Sequence, residues 1–435
     1  MKKIIAMLLV LAMALSLVAC GQAPAAPAPT EAPKAPEAAP EAPAATEAPA
    51  AAPEKITLTV WGPQADQGEN GDGWLQAQCA AFAAAHPEWE IEFQYGVCSE
   101  GDAATQVTKD VSAAGDVYFY ANDQIGTLLQ ANALAQFGGS FEEEIKANNS
   151  DVMVNSVTYT DGGVYGVPFT PNSWFMYYNK SVFSEEDIKS LETMLEKGKV
   201  GFNLGDAWYF ASFFAANGGT LFGDAGVDAA AGIQFGGDNG VAVVNYLVDL
   251  VANPNFVVDN NNEVALGLMK EGKCDAFFSG TWKAEAAKEA LGENYAAAQL
   301  PTINIGGEAK QLRAFAGSKC IGVNPNCKNQ KAALQLALFL GSKDAQLAHY
   351  TMGNIAPCHP ELAADPAIAS DVAVAALINT IANTSVGQPT IPEMGTYWGP
   401  AGNMASEIIN GTVTHDNAVE KTAAFQDAIN GVGGL

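Results

Sequence analysis

Arginine is all but missing from this chain. Arg313 is the only one in 435 residues, and a site that grips phosphate or carboxylate commonly uses several guanidinium forks. Positive charge is scarce in general, with 21 Lys and Arg against 48 Asp and Glu and a formal charge of −27. Such a polyanion repels nucleic acid and an anionic bilayer alike, so neither is expected as a partner face. The four histidines, His86, His349, His359 and His415, are scattered singly. There is no Cys-x-x-Cys pair, no His-Glu-x-x-His, no Gly-x-Ser-x-Gly and no Gly-Lys-Ser/Thr phosphate loop. These gaps argue against a metal site and against a nucleophile–base enzyme. Paired carboxylates carry no weight, because acids this numerous form pairs at every spacing. The expectation is therefore no catalysis, no cofactor and a neutral ligand.

The first residues read as an address. Lys2 and Lys3 precede Ile4 to Ala19, which are apolar except for Ser16. That run is short for a spanning helix, which needs about 20 residues, and it fits a secretory signal over 1–19. Leu17-Val18-Ala19-Cys20 resembles the bacterial lipobox. The resemblance implies that Cys20 is lipidated, becomes the new N-terminus and anchors the chain to the outer face of the cell membrane. Residues 20–54 then form a tether. Gly21 to Glu54 holds 15 Ala and 9 Pro and lacks aromatic and branched aliphatic residues, so it cannot bury enough apolar area to offset ordering. Repeated Ala-Pro favours extended polyproline II, reaching on the order of 100 Å at ~3.1 Å per residue.

The body begins at Lys55 and holds all seven Trp. Ile56, Leu58 and Val60 alternate with threonines, a strand ending at Trp61. Gly73 to His86 reads as a helix stopped by Pro87. Trp89, Ile91 and Phe93 alternate again, 102–112 reads as a helix, and Val117 to Tyr120 is a short apolar strand followed by Asn122-Asp123 as a helix N-cap. Further strands are expected in 163–178 and 276–278. Further helices are expected over 185–197, 206–214, 239–251, 263–271 and 331–340, with a mostly helical C-terminal third. Strand–helix alternation predicts an α/β fold with a parallel sheet covered by helices, and ligands gather at the carboxyl ends of such strands.

Six body cysteines remain, Cys79, Cys98, Cys274, Cys320, Cys327 and Cys358. Outside the cytoplasm they could pair, Cys320 with Cys327 being the most local choice, or stay as small buried thiols. The aromatics carry more. Trp61, Tyr120, Trp174, Trp208, Tyr209, Trp282, Tyr397 and Trp398 fall at element ends or beside Gly, Pro, Asn and Asp. Each alone could be core. Together, rings beside short polar groups such as Asp123, Asn172 and Asp206 suit a sugar, whose C–H face stacks on a ring while its hydroxyls need fixed partners.

Tyr120-Ala121-Asn122-Asp123, Tyr165-Gly166-Val167-Pro168 and Tyr178-Asn179-Lys180 resemble the extracytoplasmic solute-binding proteins of ABC importers. Phe202-Asn203-Leu204 before Trp208-Tyr209-Phe210, Ser279-Gly280-Thr281-Trp282, Leu300-Pro301-Thr302 and Ile391-Pro392-Glu393-Met394 before Tyr397-Trp398 are similar to the maltose/maltodextrin-binding branch. The likeness covers most of residues 55–430. It implies a two-lobed type II periplasmic-binding fold, with 55–168 and 302–356 in the N-lobe and 169–301 and 357–435 in the C-lobe. Hinges are expected near 166–172, 300–303 and 355–360. It implies a monomeric receptor that holds a maltodextrin-type oligosaccharide between the lobes and hands it to permease subunits. The expected ligand residues are Trp61, Asp66, Tyr120, Asp123, Asn172, Trp174, Asp206, Trp208, Tyr209, Trp282, Tyr397 and Trp398. Three positions depart from the branch. Gln124 stands where a basic residue often follows the acid, Asn172 stands near a family glutamate, and Gly402 stands where an arginine is common. Two alternatives stay open: the same scaffold tuned to a different neutral glycan, and a cell-surface hydrolase or adhesin.

Overall fold

The computed structural model describes residues 52–68, 70–223, 226–259 and 263–431. Cys20, the signal and all but the last residues of the tether lie outside the described residues. Ala52–Leu435 forms one compact unit built on two sheets.

The first sheet runs Ser385–Gly387, Ala314–Val323, Val117–Ala121, Glu54–Gly62 and Trp89–Val97, and Val167–Asn172 also pairs with Ala314–Val323. Glu54–Gly62 lies parallel to both Trp89–Val97 and Val117–Ala121. Its alternation is used as the sequence implies: Ile56, Leu58 and Val60 are buried in a core with Phe119, Ile125, Leu336 and the helix Trp74–Ala85. The second sheet runs Tyr295–Ala298, Phe175–Asn179, Ala276–Ser279, Val200–Phe202 and Phe256–Val258. Both of its faces are covered. Trp174 and Met176 point into one core with Phe202, Phe210 and Tyr397, while Phe175 and Tyr177 point into another with Ala265 and Leu377. Period-2 alternation of large apolar groups on both sides is what a strand buried on two faces requires.

Three crossings join the halves. The chain leaves the first sheet at Asn172 and enters the second at Phe175. It returns inside one long strand, Ala314–Val323: Ala314 and Phe315 belong to the second core, whereas Gly317 to Val323 pair in the first sheet. The third crossing follows the helix Lys343–Gly353, where Asn354 adopts a left-handed turn (φ 54°) and Ala356 joins the second lobe. Side chains stitch these crossings together. Thr170 Oγ1 donates to the Ala356 carbonyl (2.7 Å), Ser173 Oγ donates to the Phe315 carbonyl (2.8 Å), and Gln346 Oε1 accepts from the amides of Cys358 and His359 (both 2.9 Å).

Several expectations are corrected. The chain does not cross at 300–303. Thr302–Ile305 and Glu308–Gln311 form a hairpin over Gly306-Gly307, both at positive φ, and Ile303, Ile305 and Leu312 pack in the second core. Pro301 interrupts the pattern without ending the lobe. Phe169, expected in the C-lobe, packs in the first core. The helix expected over 102–112 is only Ala103–Val107. The helix expected over 185–197 is a short 3₁₀ turn and then Leu191–Lys197. Asn122 caps no helix, because its Oδ1 accepts instead from the Ser318 amide across the sheet (2.9 Å). For the six body cysteines, where pairing and buried thiols were both open, the structure has all six free and buried. Burial pushes the thiols of Cys79, Cys320 and Cys327 up to about 12 and that of Cys274 up to about 11, the environment of an inert thiol.

Candidate functional site: a cleft between two lobes

A cavity of about 730 Å³ lies between the lobes, within the usual size range of small-ligand sites. Its walls are built largely at carboxyl ends of strands, where side chains of α/β sheets converge. From the first lobe, Asp66 comes from the short helix Gln64–Gln67 and Asp123 from the turn Asn122–Gln124. Lys319 comes from Ala314–Val323 and His349 from Lys343–Gly353. From the second lobe come Asp206 and Trp208 at the start of the helix Ala207–Ala216, Trp282 from the turn Thr281–Lys283, and Trp398 from Gly395–Ile409. Asn172 sits at the first crossing and also lines the space.

The rings of Trp208 and Trp282 share one wall. Trp208 Nε1 donates to Gln388 Oε1 at 3.1 Å, which fixes the plane of the ring. Asp206 caps its helix by accepting from the Trp208 amide at 2.8 Å, so one residue both starts the helix and sets the ring. Trp282 is 39% exposed, with the Lys319 ammonium over its ring.

The carboxylates are in three different states. Asp66 Oδ1 lies 2.9 Å from His349 Nε2, and Asp66 Oδ2 is buried without a hydrogen-bond partner. His349 itself stacks on Trp74, centroids 4.1 Å apart and planes 14° from parallel. Glu100 is paired with Lys319 (3.1 Å). Burial pushes the Asp123 carboxyl up to about 7 and raises that of Asp206 as well. Lys319 is the only Lys or Arg among the lining residues, and among the described residues no cluster of His, Cys, Asp and Glu could hold a metal.

Of the twelve residues expected at the ligand, the cleft gathers Asp66, Asp123, Asn172, Asp206, Trp208, Trp282 and Trp398. The other five are elsewhere. Tyr120 is fully buried in the first core, its hydroxyl donating to the Tyr165 carbonyl (3.3 Å). Trp174 is buried against Tyr209 (4.8 Å) and Phe202 (5.6 Å). Tyr397 is buried, its hydroxyl donating to the Ala207 carbonyl (2.9 Å). Trp61 packs across Gly96 and Gly115, where a Cβ would stand 2.4 Å and 2.9 Å from its ring. The physical reason is common to all five: a ring at a strand or helix end can turn inward as readily as outward. Trp174 packs against Tyr209, and Tyr397 bonds to Ala207, on the helix that begins at Ala207 and carries Trp208. Sequence reading missed Lys319, His349, Glu100 and Gln388. A lone lysine inside the apolar strand Ala-Phe-Ala-Gly-Ser-Lys-Cys-Ile-Gly-Val was the available signal for the first.

A model of the bacterial extracellular solute-binding protein family matches residues 77–376. The chain belongs to that family. This solute-binding protein is 28% identical over 324 residues to the galactooligosaccharide-binding protein of Bacillus subtilis (strain 168), covering 71% of this chain and 75% of that one. It is 29% identical over 313 residues to the maltooligosaccharide ABC transporter solute-binding lipoprotein of Streptococcus pneumoniae (strain ATCC BAA-255 / R6), covering 68% and 72%. A structure solved with acarbose is 51% identical, with a TM-score of 0.84 over 87% of this chain and 99% of that one. The solute-binding protein is thus extracytoplasmic by family and two-lobed by fold.

Proposed function

We propose that this solute-binding protein is the carbohydrate receptor of an ABC importer and binds a maltodextrin-type oligosaccharide in the interlobe cleft. One observation carries the reading: three indole-bearing residues, Trp208, Trp282 and Trp398, share a cavity with carboxylates and an amide contributed from the opposite lobe and the crossing. Rings take the apolar faces of the sugars, and Asp123, Asn172 and Asp206 bind hydroxyls. Only a closed cleft brings both sets to one ligand, so binding shifts the population toward closure, and the permease reads that form. The chemistry is binding without turnover: the ligand leaves intact. Cys20 carries the lipid, and 20–54 lifts a monomeric body off the outer face of the membrane. Mass spectrometry of the mature N-terminus tests the anchor; a diacylglycerol-modified Cys20 is expected.

Calorimetry with maltotriose, maltotetraose and acarbose tests the ligand class, with recovery of unaltered sugar testing the absence of hydrolysis. Micromolar or tighter binding with intact sugar is expected. A second reading, a galacto-configured oligosaccharide, is favoured by the Bacillus subtilis relative, and the same titration with galactooligosaccharides separates the two.

A further inference from the structure

We propose that Lys319 is a positioning residue for cleft closure: Glu100 holds its ammonium on the first lobe, and that ammonium docks on the ring of Trp282 on the second. Lys319 lies between Ala121 and Thr170 of the neighbouring strands, and the ladder with Val167–Asn172 shifts register between Lys319 and Cys320. Such a bulge re-aims a side chain beside a site. The Lys319 Nζ stands 3.1 Å from Glu100 Oε1 and 5.2 Å from the Trp282 ring centroid.

Glu100 is itself anchored. Gln124 Nε2 donates to the carbonyls of Glu100 (3.0 Å) and Gly101 (2.6 Å), and Gln124 Oε1 accepts from the Ala104 amide (2.6 Å). Gln124, the residue that replaces a basic one in the resemblance, thus braces the loop that positions the cleft's cation. A cation over an indole is attracted by the ring's electron density, more strongly where water is thin. Because Lys319 and Trp282 stand on different lobes, their contact exists only when the lobes are together. It therefore favours the closed form before any ligand arrives and orients Trp282 for stacking.

The test compares the full chain with Lys319→Met, which keeps the stem and drops the charge, and with Lys319→Arg. Ligand-free small-angle scattering reads closure, and calorimetry with maltotetraose reads binding. Losing a cation–π contact predicts binding about tenfold weaker for Lys319→Met, with a larger ligand-free radius of gyration. Lys319→Arg should stay within about twofold, since a guanidinium also sits on an indole face. Unchanged scattering, or sugar bound as tightly or more tightly by Lys319→Met, overturns the proposal. Should Lys319→Met fail to fold, Glu100→Gln loosens the same ammonium and must move both readouts the same way; unchanged readouts overturn it. The binding arm rests on the oligosaccharide reading. If the wild type ignores maltotetraose, that reading fails, while ligand-free scattering still decides the role of Lys319.

Discussion

The rings of Trp208 and Trp282 lie 6.2 Å apart, centroid to centroid, and are tilted by 37°. They stand on separate elements, a helix start and a turn after a strand, and meet on one wall of the cleft. Two adjacent, non-parallel platforms suit successive rings of a bent oligosaccharide better than one flat sugar.

Replacing Trp282 by Ala should therefore cost binding and spare the fold. Losing one stacking platform is worth about 1 kcal/mol, or roughly fivefold to tenfold in affinity. The melting temperature should hardly move, because the side chain is already 39% exposed. Trp174→Ala is the contrast. That ring is fully buried, and its loss should destabilise by about 3–5 kcal/mol. Calorimetry and thermal melting on both variants check the pair.

Asp123 predicts a pH dependence. Its folded carboxyl is raised to about 7, whereas an unfolded one titrates near ~3.9. Between those values the folded form holds more protons, so stability falls as pH rises. The contribution is full below about 4 and lost through about 7. Asp123→Asn should flatten the decline of melting temperature between about pH 4 and pH 7 and should melt higher than wild type at pH 8. A slope unchanged by the substitution would contradict the assignment.

Asp66 and His349 should behave as a unit. Removing either partner strands a buried polar group, which costs about 1–3 kcal/mol. The double variant Asp66→Ala/His349→Ala should cost less than the sum of the two singles, because both remove the same 2.9 Å contact. Denaturant unfolding of the four proteins closes this cycle.

The six body thiols should be silent in the folded state. They are buried and unpaired, so a thiol reagent should label them only on unfolding, and a reductant should leave the melting temperature unchanged. A drop on reduction would reveal a disulfide.

The fold was largely legible because burial writes its period into the chain. Ile56, Leu58 and Val60 announce a half-buried strand, and Asp206 announces the helix it caps. The second crossing was not legible. Ala314–Val323 is one uninterrupted strand that changes lobe midway, and nothing in a continuous strand marks where its neighbours change. Ring direction was equally silent: Trp208 and Tyr209 are adjacent, yet one faces the cleft and the other the core. His349 and Lys319 come from elements over 200 residues beyond the acids they pair with, so only tertiary structure could join them.

A single sugar chain should touch both lobes at once. A crystal structure grown with maltotetraose measures this directly. The expected result is a sugar ring on Trp282, hydroxyls within hydrogen-bond distance of Asp123 on one side and Asp206 on the other, and a cleft shut around them. Sugar held by one lobe alone, or an empty cleft at saturating ligand, would contradict it.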